Sequence, residues 1–250
     1  MSTQSPLPPS VRLAWWGTGW LRGHVAADHL IDAVLDQDAA HLVAFAGSDP
    51  EPLMTGLGRL RADGADAFGA ALPSEGDPVG LGGPAAFNTA ALDVGEAVVV
   101  LDAAGFARRG LVPDRVGAAV TWAVMAAERR QLPDVGEADR ALRSALPEAA
   151  DALAALDVAR WRPEVADQLM NLRHRPALAA PPGVPARCVE LAARGLQALE
   201  IVALALADDG GALTALDAEA RRAALLPLGR AGRRALVAAA SPEVWPPGSV

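Results

Sequence analysis

The chain has 250 residues, a net charge of −8 and a pI near 5.0. All 22 basic residues are arginine, and lysine and tyrosine are absent. This excludes a Walker-type phosphate loop, a protein-kinase lysine, a Schiff-base lysine, a Ser-x-x-Lys nucleophile and tyrosine acid–base chemistry.

The acidity argues against a general nucleic-acid or anionic-membrane surface, because affinity for phosphate backbones rests on positive charge. The single Cys188 excludes a disulfide framework and a cysteine-rich zinc site. Apolar residues make up 52% of the chain, enough for a sizeable core at this length. The richness in Ala, Arg, Gly and Pro reads as the bias of a GC-rich genome before it reads as function.

Residues 1–10, "MSTQSPLPPS", lack the basic region and apolar core of a signal peptide and read as a disordered tail. "VRLAWWGTGWLRG" puts Leu13, Trp16 and Trp20 on one helical stripe, weakened by Gly17 and Gly19. "AADHLIDAVLDQD" follows as an amphipathic helix, with Leu30, Ile31, Val34 and Leu35 on its apolar side. Residues 41–47 read as a strand. Ser48 and Glu51 have capping-box spacing for a helix running to about Ala62, with Pro50 in its first turn. Residues 66–73 are the next strand, and the whole has the length of a right-handed parallel crossover.

A glycine loop then leads to a short helix from Pro84, broken by Gly95. "EAVVVLD" (96–102) is the strongest strand pattern, and "AAVTWAVMA" (118–126) reads as a strand returning antiparallel after a loop with Arg108, Arg109 and Arg115. Beyond the linker 131–136 the pattern is helical. Leu142, Leu146, Ala149, Leu153 and Leu156 keep helical spacing through Pro147, so the helix either kinks or restarts there. A short helix opens at Pro163, with Val165, Leu169 and Leu172 inward. Residues 186–207 form an apolar helix, and two helices, from Thr214 and Leu228, flank Pro227. "IVALALA" (201–207) is too short to span a bilayer.

The expected fold is α+β or α/β: a small mixed sheet of about four strands with helices, then an all-helical bundle. Its parts would be a tail (1–10), an α/β domain (11–130), a linker (131–136), the bundle (137–240) and a flexible tail (241–250). A soluble, cytoplasmic protein is expected.

"GDPVGLGGPAAFN" (76–88) invites comparison with a phosphate cradle. The run Gly80-Leu-Gly82-Gly83-Pro84 lacks the third glycine of a dinucleotide fingerprint, and Glu75 and Asp77 would repel phosphate. If strands 41–47, 66–73 and 96–102 are parallel, their carboxyl ends share an edge, where open α/β sheets bind ligands. That edge would gather Asp49, then Asp77, Gly80, Gly82, Gly83 and Asn88, then Asp102, Arg108 and Arg109. These residues suit a small polar ligand, or a divalent metal through Asp49 and Asp77; solvated loop charges and turn glycines are the competing account.

Other patterns carry less. His24 and His29 lie about 140° apart on a helix of 3.6 residues per turn. His29, Asp32 and Asp36 share a stripe that reads as a solvated acidic face. Residues 208–219 have the length of a calcium loop but no side-chain oxygen at Gly210 or Ala212, so a turn followed by Thr214 and Asp217 as helix caps fits better. Arg221, Arg222, Arg230, Arg233 and Arg234 make the last helices basic, which suits helix C-termini and local ion pairs. Cys188 reads as an inert core residue.

"EGDPVGLGGPAAFNTAALDVGEAVV", "LDVARWRPE" and "ALADDGGALTALDAEARRAAL" resemble uncharacterised proteins of high-GC actinobacteria, over most of the chain. The resemblance implies a source, and no activity, cofactor or catalytic residue.

The sequence thus favours a non-catalytic cytoplasmic protein that binds a partner protein or a small polar ligand, without cofactor or metal. The alternative is a metal- or carboxylate-dependent hydrolase or transferase using Asp49, Asp77 and Arg108. An arginine-patch regulator of nucleic acid ranks third.

Overall fold

The computed structural model describes residues 5–155, 177–207 and 215–246. Helix α1 (Pro9–Leu21) starts on a proline, whose missing N–H costs nothing in a first turn. It buries Val11, Leu13, Ala14, Trp15 and Thr18, while Trp16 and Trp20 are only partly covered. The buried stripe therefore centres on Trp15 rather than Trp16. Gly17 permits the helix to lie on the sheet, since a Cβ there would stand 2.7 Å from the Phe68 ring. The segment before α1 joins the fold: Leu7 is buried, and the Ser5 N–H donates to the Asp36 carboxylate. Helix α2 (Ala27–Leu35) buries Leu30 and Val34.

The sheet has six strands, two more than expected. They are β1 (Ala40–Ala44), β2 (Glu51–Pro52), β3 (Ala65–Ala71), β4 (Ala97–Asp102), β5 (Ala107–Val116) and β6 (Ala119–Ala126), in the order β2-β1-β6-β5-β4-β3. Only β1 and β6 pair in parallel; every other pair is antiparallel. Two expectations fail here. The first and second strands of the sequence reading, β1 and β3, sit four places apart and run in opposite senses, so they form no parallel crossover. The strand at 119–126 returns antiparallel to β5, which sequence pattern gave as a loop, and runs parallel to β1.

Strands β3 to β6 form a meander of sequential neighbours, so local pairing decides the topology. A two-residue turn at Gly117 and Ala118 joins β5 to β6, with Gly117 at φ 62 as such hairpins require. Pro113 is tolerated in β5 because it lies past Leu111, the last residue paired with β4.

Helix α3 (Leu53–Ala62) begins later than the capping box suggests. Pro52 holds the N-cap position without a side-chain cap bond, and Glu51 and Pro52 pair with β1 instead. Helix α4 (Ala85–Val94) covers the opposite sheet face, where Phe87 and Ala91 meet Ala67, Val99, Leu101 and Val112. On the first face Phe68, Val98, Val100, Leu111 and Trp122 share one core with α1, α3 and the later helices.

Those later helices are α5 (Val135–Ala155), α6 (Ala186–Ala207) and α7 (Ala215–Ala239). Each internal proline is absorbed: α5 runs through Pro147, and α7 runs through Pro227 as one helix rather than two. Helices α6 and α7 cross closely at Gly195 and Gly232, where an added Cβ on Gly195 would lie 3.0 Å from the Gly232 carbonyl oxygen. The expected helix from Pro163, with Val165, Leu169 and Leu172, and the expected caps at Thr214 and Asp217 lie outside the described residues. No described helix is long and apolar enough to cross a membrane.

The chain's end seals the outer edge of β3. Thr18 Oγ1 accepts from the Phe68 N–H and donates to the Phe68 carbonyl. The Ala70 N–H donates to the Ala240 carbonyl just past α7, and Arg130 donates to the Ala70 carbonyl at 2.7 Å. Both Trp15 and Trp245 donate their indole N–H to the Ala239 carbonyl. Residues 241–246, expected as a tail, hold the buried Ser241 and a 3-10 turn at Pro242–Val244. The backbone donors and acceptors of the edge strand thus meet side chains and a helix end rather than water.

Candidate functional site

The directions of the strands decide which candidate residues meet. β1, β4 and β6 point one way and end at one edge; β3 points the other way and ends at the opposite edge. Asp102, Arg108 and Arg109 therefore lie at the first edge, and Asp77 follows β3 at the second. Asp49 is exposed beyond β1, three strand positions from β4. A hydrolase built on Asp49, Asp77 and Arg108 would need these three residues on one edge, and they are not.

At the first edge a surface pocket of about 280 Å³ opens between the end of α3, the start of β3 and the ends of β4 and β6. Leu60, Val100 and Leu101 form its apolar wall, and Asp63, Asp102, Arg108 and Arg109 supply its charge. The charges are paired: Arg108 Nε donates to Asp102 at 3.0 Å, and Arg109 Nη2 donates to Asp63 at 3.1 Å. Asp102 also organises its own turn by accepting the Phe106 and Ala104 N–H groups at 2.9 and 3.0 Å. These contacts, with Phe106 foremost and Arg108 next, hold its carboxyl below the usual value. Asp63, which sequence reasoning missed, is the residue that caps the C-terminus of α3; its signal was the Asp-Gly that ends that helix.

The glycine loop is filled by protein. A Cβ on Gly80 would stand 2.6 Å from the Ala71 Cα, and one on Gly82 would strike the Arg129 carbonyl. The Gly83 N–H donates to Asn88 Oδ1 at 3.0 Å, and its carbonyl accepts from the Glu128 N–H. Asn88 therefore points back at the loop and closes it. The glycines serve close approach, and the Gly83 N–H and the Gly80 and Gly83 carbonyls are spent on the fold. Asp77 is buried at 2% exposure against α7, where its Oδ1 accepts from Arg234 Nη2 at 2.9 Å and Arg233 stands 3.7 Å from its Oδ2.

A second charged cluster escaped sequence reasoning. His41, at the start of β1, is buried, and its Nδ1 accepts the Trp122 indole N–H at 3.1 Å. Tryptophan can only donate, so the ring proton sits on Nε2, which donates to Asp38 at 3.0 Å. Arg115 and Arg12 also face Asp38. Burial holds His41 below its usual value while Asp38 opposes. Both ring nitrogens are committed, so the pair is a structural relay rather than a general base. Asp36 of the supposed acidic stripe turns to Arg12 at 2.9 Å, leaving His29 and Asp32 exposed. Burial pushes the Cys188 thiol up to about 11, which makes it a poor nucleophile.

The chain is an α+β protein in which a mixed sheet and a helical C-terminal half share one core, with a charged pocket at one sheet edge. It belongs to the Rv1486c-like family: residues 10–138 match the model described as the N-terminal domain of Rv1486c-like proteins, and residues 136–237 match the C-terminal domain. Two Mycobacterium tuberculosis proteins, "Uncharacterized protein Rv1486c" of strain H37Rv and "Uncharacterized protein MT1533" of strain CDC 1551, are each 29% identical over 290 aligned positions. Both alignments cover 95% of this chain and 99% of the relative. No solved structure matches.

Proposed function

We propose that the protein is a non-catalytic cytoplasmic binder of a small polar ligand, held in the pocket at the end of β4. The observation that carries this reading is the alternation of Asp63, Asp102, Arg108 and Arg109 around one concavity of about 280 Å³. That volume is just below the ~300–1,000 Å³ of drug-sized sites, which suits a ligand the size of an amino acid.

The chemistry follows from the weakness of the resident pairs. Arg109 and Asp63 are 45% and 44% exposed, and exposed pairs contribute about 0–1 kcal/mol. A ligand carboxylate would take Arg109 from Asp63, and an adjacent ammonium would take the released Asp63. Leu60 and Val100 would cover the ligand's carbon atoms. The zwitterion thus exchanges partners without leaving a charge unpaired.

A melting screen with free amino acids and dipeptides tests this. A ligand at about 100 times its Kd stabilises by ~2.7 kcal/mol, and the shift is expected to vanish in Arg109→Ala. A flat response across the panel, or an equal shift in the variant, rules the reading out.

A further inference from the structure

At the opposite sheet edge, three guanidiniums of α7 converge on the turn that follows β3. Arg230, Arg233 and Arg234 lie at i, i+3 and i+4, on one side of the helix. Arg234 is satisfied by Asp77, through Nε at 3.3 Å and Nη2 at 2.9 Å. Among the described residues Arg230 reaches only the Gly76 carbonyl, at 3.4 Å.

Arg233 Nη2 stands 3.7 Å from Asp77 Oδ2, an ion pair longer than a hydrogen bond. Arg230 Nε, Arg233 Nε and Nη2, and Ser74 Oγ are buried without a hydrogen-bond partner among the described residues. Two of the three cations thus share one buried carboxylate, Arg230 stands beside them, and Glu75 in the same turn is exposed. Like charges gathered this closely with idle donors call for a further anion. Asp77 adds a second requirement: its Oδ2 is also buried and, with Arg233 Nη2 held off at 3.7 Å, accepts no hydrogen bond among the described residues. An occupant must therefore bring negative oxygens for the arginines and one O–H for Asp77.

We propose that Ser74, Asp77, Arg230 and Arg233 form a binding site for a protonated oxyanion, with hydrogen phosphate as the type ligand. Arg233 and Arg230 donate to the charged oxygens, and the ligand's own hydroxyl donates to Asp77 Oδ2. Sulfate carries no proton near neutral pH, so Asp77 repels it; the carboxylate is the selectivity device. Glu75 and Gly76 of the turn are exposed. The site does not depend on the pocket at the end of β4.

Calorimetric titration of the full chain at pH 6–7 and constant ionic strength, with inorganic phosphate, sulfate and chloride, tests this. Saturable phosphate binding is expected, at least tenfold tighter than sulfate. Arg233→Gln is expected to weaken it at least tenfold, and Asp77→Asn to abolish the preference over sulfate. Arg109→Ala, at the other edge, is expected to leave it unchanged. Should Arg233→Gln fail to fold, Arg230→Gln, which gives up the 3.4 Å contact to Gly76, supplies the same affinity readout; should Asp77→Asn fail to fold, the wild-type ratio of phosphate to sulfate affinity tests the carboxylate's role. Absence of saturable binding, equal affinity for sulfate, or phosphate binding that survives loss of the arginines overturns the proposal.

Discussion

Replacing Arg130 by alanine is expected to be among the most damaging single changes outside the apolar core. Its side chain is 2% exposed. One guanidinium donates to the Ala70 carbonyl at 2.7 Å, the Gly80 carbonyl at 3.1 Å, Ser241 Oγ at 3.1 Å and Glu243 at 3.0 Å. It therefore joins the β3 edge, the glycine loop and the segment after α7. Burial pulls its pKa down and Glu243 opposes that pull, the balance of a charge kept indoors by a partner. Removing one member of a buried pair costs about 3–5 kcal/mol. At ~2–4 °C per kcal/mol for a chain of this size, that is a fall in Tm of roughly 6–20 °C. Urea and thermal melts of Arg130→Ala measure it. The double variant Arg130→Met with Glu243→Gln is expected to lose less than the two single changes summed, because it leaves no lone buried charge. A loss below ~1 kcal/mol for Arg130→Ala would refute the reasoning, since it would mean that water replaces the guanidinium without penalty.

Further outcomes follow from other contacts. Gly110→Ala drives a methyl into the Phe87 ring and is expected to cost about 1–3 kcal/mol, read as a lower urea midpoint with unchanged m-value. Arg109→Ala removes an exposed pair, so its stability should stay within about 1 kcal/mol of wild type even as it abolishes ligand-induced stabilisation. Stability is expected to fall in two acid steps. His41 is held below its usual value by burial, so its contribution is intact above about pH 6.5 and declines as pH drops below that. In Asp38 burial opposes ionisation, but hydrogen bonds from Arg115 and His41 outweigh it and lower the pKa. Its contribution is therefore present above about pH 4 and lost as pH falls through the folded value. Urea midpoints from pH 8 to pH 3 should show both limbs, with the lower one flattened in Asp38→Asn; a midpoint constant from pH 7 to pH 5 contradicts the His41 assignment. Cys188 should react with a thiol reagent only at the rate of unfolding.

What the sequence made legible was local. Alternation and apolar runs located β1, β3, β4 and β6 to within a few residues, and helical spacing located α2, α5 and α6. Strand β5 was hidden because Arg108, Arg109, Gly110 and Pro113 argue against a central strand one by one, and its pairing on both sides is a tertiary fact. Strand direction was equally hidden, which is why Asp77 was grouped with Asp102. The Asp102, Arg108 and Arg109 part of the expected edge does come together, since those residues are neighbours in sequence and share one turn. Asp63 and the Arg233–Asp77 contact join distant segments and left no periodic trace. Asp77 read as repelling phosphate when only its own loop was in view; α7 reverses the local sign.

The bond from the Ala70 N–H of β3 to the Ala240 carbonyl has a consequence for how the chain is made. At ~5–20 residues per second, the ribosome delivers residue 240 roughly 6–22 s after residue 130. During that interval Thr18 and Arg130 can already cover Phe68 and the Ala70 carbonyl, but the Ala70 N–H lacks its Ala240 partner and Trp15 lacks the carbonyl it will later meet. A fragment ending near residue 138, where the N-terminal family model stops, would be left permanently in that condition. Its uncovered Ala70 N–H and bare apolar sheet face would be completed by the helical half supplied as a separate chain, which would act on it as an assembly factor.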